Sequence, residues 1–379
     1  MGEDLKQENR VVYLELLNIF KDFDKVREIW GKLSSESNTG YFLSWGWIEN
    51  WVESLPEDVC VHLCVIREKE VPVLTFFLGE AQILRNQVFK SKGIFLNATG
   101  NSEYDSLCIE YNTMIYRQPL RLSLRELLGT LPNHWDEFFL PGLDCDSFPG
   151  NSLDQPLGPY KIIKEKVDAS PYVDLERVRR TKGGYLSLLG SNTRAQIRRT
   201  YRDLESHGPI KAAAGLTIKG CSEIFDEMVL LHQRRWQRKG EQGAFESEYF
   251  YRFHKELIKR RFDQGEIQLI RVTAGQETVG CLYNFVFRGR VYFYQSGINY
   301  EIDERLKAGL LCHAEAVKYN AAIGQSIYDF LGGAERYKSN LATNKRPLIW
   351  AKIQRPCLKF WMEDKIRGAK HWIRKWTEN

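Results

Sequence analysis

The chain has 379 residues, 43% hydrophobic, 27% charged and 13% aromatic, which excludes a disordered or collagen-like polymer and supplies core for two domains of ordinary size. Lys and Arg outnumber Asp and Glu by 54 to 49, a net charge of +5 that suits a phosphate-bearing ligand and is too small to argue for nucleic acid. No window of about 18 apolar residues occurs and the N-terminal MGEDLKQENR has no apolar run, so the expectation is a cytoplasmic protein with reduced thiols at its 8 cysteines.

Phe23, Val26, Ile29, Trp30 and Leu33 recur at helical spacing over 22–34. Ser44 is placed to cap a second helix through Trp47, Ile48 and Trp51, ending near Pro56. Strand-like runs follow at 59–66, 71–78 and 81–89, the first two parted by the charged turn 67–70. A helix at 119–129 and the apolar run EFFL (137–140) lead to Pro141-Gly142. Residues 147–160, SFPGNSLDQPLGPY, have linker composition. SNTRAQIRRTYRDLESHG (191–208) then predicts a helix capped by Ser191 or Asn192 and stopped at Gly208. A strand at 209–218, helices at 221–237 and 247–262, and strands at 266–273, 277–287 and 290–297 follow, with hairpin turns at Ala274-Gly275 and Arg288-Gly289. A helix at 308–323 stops at Gly324, SIYDFL (326–331) is a short strand before Gly332-Gly333, and a last strand spans 347–354.

Helix, helix, three strands, helix, strand therefore occurs twice, and VHLCVIREKEVPV (61–73) lies over IQLIRVTAGQETVG (267–280). The repeat predicts duplicated domains at 1–150 and 181–356, a linker at 151–180 and a basic tail at 357–379. In the tail, LKFWMEDKIRGAKHWIRKW (358–376) carries one apolar stripe among basic faces. Packing back on the protein competes there with lying on an anionic membrane surface, which would place the protein at the inner face of the membrane.

Four segments carry chemistry. In RLKAGLL (305–311), the free N–H groups of a helix start, a glycine at 309 and the side chains of Arg305 and Lys307 form a cradle for a pyrophosphate, against the plainer reading of a solvated loop. In YDFLGGAERYK (328–338), Asp329, Glu335, Tyr337 and Lys338 cluster around a Gly-Gly turn at a strand end, where α/β clefts gather functional groups. Arg194, Arg198 and Arg202 share one face of the 191–208 helix, and Arg235 flanks Trp236 in HQRRWQRKG (232–240), a pattern able to hold phosphates. Cys60, His62 and Cys64 share a strand face, but no further ligand stands at zinc spacing, so a buried face and no metal are expected. No G-x-S-x-G elbow, P-loop or H-E-x-x-H motif occurs, which leaves triad hydrolysis and Walker-type nucleotide hydrolysis without a foothold.

This order and these motifs resemble the acyl-CoA N-acyltransferase (GNAT) superfamily, and within it the duplicated branch of CelD-like proteins and Fem peptidyltransferases. SNTRAQIRRTYRDLESHG, HQRRWQRKG, RLKAGLL and YDFLGGAERYKSNLATNKRPL (328–348) carry the likeness over roughly 180–355, and YFLSWGWIENW (41–51) resembles the companion domain. The resemblance implies an α/β fold, a mixed α+β sheet flanked by helices in each of two tandem GNAT-like domains. It implies acyl-CoA (acetyl-CoA above all) as co-substrate between splayed strands 290–297 and 326–331, touching Gln295 and Ser296, with its pyrophosphate on Arg305, Lys307, Ala308, Gly309 and Leu310. Relatives often carry Pro where this chain has Ala308. Direct attack by an amine is implied, so no nucleophilic Cys is needed. Tyr337 is then the thiolate protonator or a substrate anchor, Asp329 or Glu335 the base or ammonium-binding group, and Lys338 an electrostatic contact. Trp236, Arg235 and Tyr294 would hold the acceptor, an amine of a sugar, polyamine or cell-envelope polysaccharide precursor. The alternatives are a Fem-like ligase fed by aminoacyl-tRNA, against which no long paired-helix arm is inserted, and a non-catalytic GNAT-fold scaffold.

Overall fold

The computed structural model describes residues 12–85, 89–107, 109–333, 335–363 and 365. In chain order the first half holds β1 (Val12–Asn18), α1 (Phe23–Glu36), α2 (Trp45–Ser54), β2 (Val61–Glu68), β3 (Val71–Arg85), β4 (Phe89–Leu96), β5 (Ile115–Tyr116), α3 (Leu124–Thr130) and β6 (Glu137–Leu143). The join holds β7 (Lys161–Asp174), α4 (Leu175–Arg180) and α5 (Gly184–Ser187). The second half holds α6 (Ser191–Glu205), β8 (Ile210–Ala214), α7 (Ile218–Arg238), α8 (Glu248–Arg261), β9 (Ile267–Ala274), β10 (Glu277–Phe287), β11 (Arg290–Ile298), α9 (Ala308–Ala322), β12 (Ile327–Asp329), α10 (Arg336–Leu341) and β13 (Asn344–Gln354).

The helices α2, α7 and α8 start where apolar spacing meets a side-chain cap. The predicted Ser44 cap accepts from Trp47 N, Thr217 caps α7 through Gly220 N, and Ser247 caps α8 through Phe250 N. The helix expected over 119–129 starts only at Leu124, because Ser123 and Glu126 close a capping box there. The run 71–78 and residues 81–85 of the next run fuse into the 15 residues of β3, while Phe89 begins β4. Gly79 between them is no turn: a Cβ there would lie 2.1 Å from Ala98 O, so the glycine admits a close pass of the chain.

All strands join one mixed sheet, in the order β1-β2-β3-β4-β6-β13-β7-β12-β11-β10-β9-β8, with β5 beside β3. Each half contributes an antiparallel four-strand meander followed by one parallel pairing, β4 with β6 and β11 with β12. The closing strands then cross over. β7 follows the first half in sequence but pairs with β12, and β13 follows the second half but pairs with β6. The two lie antiparallel to each other at the centre of the sheet. Residues 151–180, expected to be a linker, thus hold a central strand. Its segment KIIKEKVDASPYVD lacks clean alternation because its exposed residues cluster over Lys164–Val167 and its buried ones near the C-terminal end, where Tyr172–Asp174 pair with β12 and Tyr172 with β13 as well.

One core unites the halves: Tyr41, Phe42 and Trp47 pack on Phe253, Phe285 and Tyr292. A second core lies under α9 and a third under α3. No helix among the described residues is long and apolar enough to cross a membrane. Of the tail, residues 358–363 are helical, and Glu363 takes Arg85 through bonds of 3.0 and 2.9 Å. The rest of the predicted amphipathic helix, from 366 on, lies outside the described residues.

Candidate active site

β11 and β12 are parallel neighbours only at Arg290–Tyr292 and Ile327–Asp329. Beyond that, β11 runs on to Ile298 while β12 ends, so the strands part. A bulge between Tyr283 and Asn284 bends β10 beside them. The corner after β12 is tight: Leu331 has φ +60°, outside the usual range for a branched residue, and Gly332-Gly333 follow. Phe293, Phe330 and Tyr337 surround His313 of α9, with Tyr337 stacked on the imidazole at 5.4 Å. Burial drives the His313 pKa down to about 3, and the nearby Lys338 charge adds to that, so the ring is neutral.

Three of the four candidates at the turn are brought together. Lys338 Nζ donates to Gly332 O at 2.5 Å and lies 3.3 Å from Glu335. The Glu335 carboxylate is largely exposed, and burial raises the Tyr337 phenol above its ordinary value. Asp329 belongs elsewhere. It has no exposed surface, and four donors surround it: Tyr111 OH at 2.6 Å, Leu331 N at 2.9 Å, Ser170 Oγ at 3.1 Å and Arg290 Nη1 at 3.4 Å. Burial raises its pKa against the pull of Arg290. A carboxylate so enclosed fastens β12 to both halves and has no face for a substrate proton.

The start of α9 keeps its predicted shape. The first intrahelical bond is Leu311 N to Lys307 O, and no acceptor among the described residues takes the N–H of Ala308, Gly309 or Leu310. Lys307 N donates to Thr200 Oγ1 of α6 at 3.2 Å, which sets the α9 start beside the Arg-bearing helix. A Cβ on Gly309 would meet only Ile298 Cγ1, at 3.8 Å, so protein packing does not require glycine there. Arg305 points into solvent and chelates Asp303. Arg194, Arg198 and Arg202 line one groove of about 780 Å³ with Tyr201 and Lys318.

Arg235 lies 4.3 Å over the Tyr300 ring in a cavity of about 240 Å³ between α7 and the loop after β11. Trp236 sits against His232, whose Nδ1 reaches Ser296 O at 3.1 Å. Gln295 and Ser296 are half-buried on the stretch of β11 that pairs with β10 alone, beyond its pairing with β12. Tyr294 faces the core shared by the two halves: its hydroxyl donates to Leu107 O at 2.9 Å and lies 3.3 Å from His254, tying β11 to the first half.

Sequence reasoning missed Glu110. It lies between predicted elements in the first half, and no motif marks it. Its Oε2 accepts from Gly332 N at 2.6 Å. Burial raises its pKa to about 7, although that backbone bond and the Lys338 charge pull downward. Glu110 also lines a cavity of about 280 Å³ walled by Trp51, Phe95, Phe139 and Trp350, at the parting of β4 and β6.

Residues 191–339 match the family model described as an acetyltransferase (GNAT) domain. No curated protein matches the chain. Among solved structures the fold is similar to FemX, with 8% identity and a TM-score of 0.52 over 89% of this chain and 97% of that one. A tandem GNAT protein from the clavulanic acid biosynthesis pathway gives 10% identity and 0.48 over 92% and 100%. A conserved protein of unknown function from Bacteroides thetaiotaomicron gives 8% identity and 0.46 over 90% and 99%. At 8% identity the likeness to FemX is one of fold.

Proposed function

From the match of residues 191–339 to the GNAT acetyltransferase domain we propose an acyl-CoA-dependent N-acyltransferase whose acceptor amine enters from the first half of the chain. The observation that carries this is the Glu110–Gly332 hydrogen bond, which joins the aromatic-walled cavity to the corner where β11 and β12 part. The donor's phosphates lie against the open amides of Ala308–Leu310 and the Arg194–Arg198–Arg202 groove. Gly309 supports this placement, since only something outside the protein's own packing needs its missing side chain. Arg305, committed to Asp303, contributes long-range charge at most.

The reaction is a direct displacement. The amine nitrogen bonds to the thioester carbonyl carbon, the C–S bond breaks, and an amide and a thiol result. Glu110, with a pKa near 7, takes the proton the amine loses and returns it to solvent. The Tyr337 phenol is the candidate to protonate the leaving thiolate. Lys338 holds the Gly332 carbonyl and so sets the corner's geometry. Trp51 and Trp350 give the acceptor an apolar flank, which fits an amine borne on a ring or alkyl chain.

Acetyl-CoA and longer acyl-CoAs should raise the melting temperature, and candidate amines should then release free thiol. No shift with any of them would remove the donor assignment. An aminoacyl-tRNA would use the same arginine groove. Filter binding of charged tRNA that persists at about 200 mM salt would favour that donor instead.

A further inference from the structure

We propose that Cys60, His62 and Glu80, with His134 beside them, form a binding site for a zinc-class divalent ion, separate from the acyl-transfer site. Cys60 immediately precedes β2, and His62 lies two residues on, on the same strand face. β2 pairs with β3 so that Val61 faces Gly79, and Glu80 N donates to Cys60 O at 2.9 Å. Glu80 therefore stands across from Cys60. One ligand atom from each of Cys60, His62 and Glu80 lies within 4.8 Å of the other two. His134, from the loop between α3 and β6, brings its Nε2 to 3.0 Å from Glu80 Oε2.

The donor set is one sulfur, two imidazoles and one carboxylate. Zn–S of about 2.3 Å and Zn–N of about 2.0 Å place two donors of one tetrahedral ion about 3.5 Å apart, so small rotamer changes close the site. A thiolate with imidazoles selects Zn²⁺ over Mg²⁺ or Ca²⁺. Cys60 is exposed and His62 and Glu80 are half-buried, which leaves an entry path. Cys64, next in the alternation, is fully buried in the core under α3 and takes no part. None of the four residues lines the Glu110 cavity. The ordinary alternative, a surface Glu80–His134 pair, is worth under about 1 kcal/mol and gives no reason for Cys60 and His62 to converge on it. A bound ion would clamp the loop carrying His134 to the β2–β3 pair. Spacing along the chain could not show the site, because Glu80 and His134 arrive from other segments.

The test uses the full chain, stripped with chelator and kept reduced, titrated with Co²⁺ and then Zn²⁺. The expected result is one Co²⁺ per chain, with a thiolate-to-cobalt charge-transfer band and tetrahedral visible bands, displaced by Zn²⁺, which raises the melting temperature. Cys60→Ser should abolish the charge-transfer band, and His62→Ala should weaken Co²⁺ binding at least about 100-fold. His134→Ala should weaken it about 10- to 100-fold, as ligand or as the group orienting Glu80. Cys145→Ser, at a half-exposed cysteine elsewhere, should change nothing. No charge-transfer band in the wild type at equimolar metal, or a band that survives Cys60→Ser, overturns the proposal. If Cys60→Ser does not fold, undiminished binding in His62→Ala overturns it equally.

Discussion

In the proposed reaction Glu110 couples a raised pKa to the place where a proton must move. A base works in its ionised form, so kcat/KM should climb from about pH 6 to about pH 8 as a group near 7 deprotonates. Glu110→Gln should lower kcat/KM by about 10²–10⁴ and flatten that limb. A variant that keeps the wild-type pH profile would take the base role away from Glu110. The same group sets a stability slope. Its folded pKa lies above the unfolded value of about 4.3, so the folded state holds the proton more tightly. The favourable contribution is complete below the unfolded value and is lost as pH rises through about 7. Glu110→Gln, which cannot ionise, should therefore melt above the wild type at about pH 8, with the difference shrinking toward pH 5. Asp329 holds the structure together instead. Asp329→Asn leaves Tyr111, Ser170, Arg290 and Leu331 N around a neutral amide and should cost about 2–4 kcal/mol in urea unfolding. Tyr337→Phe keeps the stack on His313, so the melting temperature should hold while kcat falls.

At the scale of elements, α9 separates the needs of folding from those of a ligand. Gly309→Ala gains helix propensity, up to about 1 kcal/mol, and its Cβ finds ordinary contact with Ile298. The ligand-free variant should melt no lower than the wild type, while the acyl-CoA-induced shift shrinks. Gly309→Val, which extends further over the open amides, should abolish that shift. Equal acyl-CoA shifts in all three proteins would place the phosphates elsewhere. The start of α9 was legible in the sequence because its glycine and its basic flank are contiguous in 305–311. The α7 and α8 helices were legible for a similar reason, since Ile224, Met228 and Leu231 show their period within one segment. What stayed hidden depends on distant partners. The value of Glu110 comes from Gly332, 222 residues on, and the enclosure of Asp329 from Tyr111 and Ser170. The Asp329 position beside a Gly-Gly turn suggested a reactive group, but position along the chain does not report which way a carboxylate faces. The gap between the runs 71–78 and 81–89 closes in β3 because Gly79 serves a close approach to Ala98, which composition does not show.

For the whole molecule the crossing of β7 and β13 matters most. The repeat of elements suggested two units joined by a linker, yet each half's sheet is completed by a strand that belongs, in sequence, to the other. The shared core repeats this dependence: Tyr41 stacks on Phe285 at 4.6 Å, and Trp47 packs on Phe253 at 5.0 Å. Polar ties add to it, with Asn50 Nδ2 donating to Phe253 O at 3.1 Å and Arg288 to Ser37 O at 2.6 Å. A fragment starting at residue 181 would lose β7, exposing the edge of β12 and the aromatic face that Tyr41, Phe42 and Trp47 cover. Unpaired central edges and bare apolar faces drive association rather than folding. Residues 181–356 expressed alone should bind a hydrophobic dye and aggregate, whereas the full chain should unfold in one cooperative transition by circular dichroism and tryptophan fluorescence alike. A monomeric fragment with a cooperative melt of its own would show that the halves are independent and that the crossed strands are dispensable. It would also test the acyl-transfer reading, since Glu110 and the cavity would then be absent from a folded fragment. Such a fragment should still bind acyl-CoA at the α9 start, but it should transfer nothing to an amine.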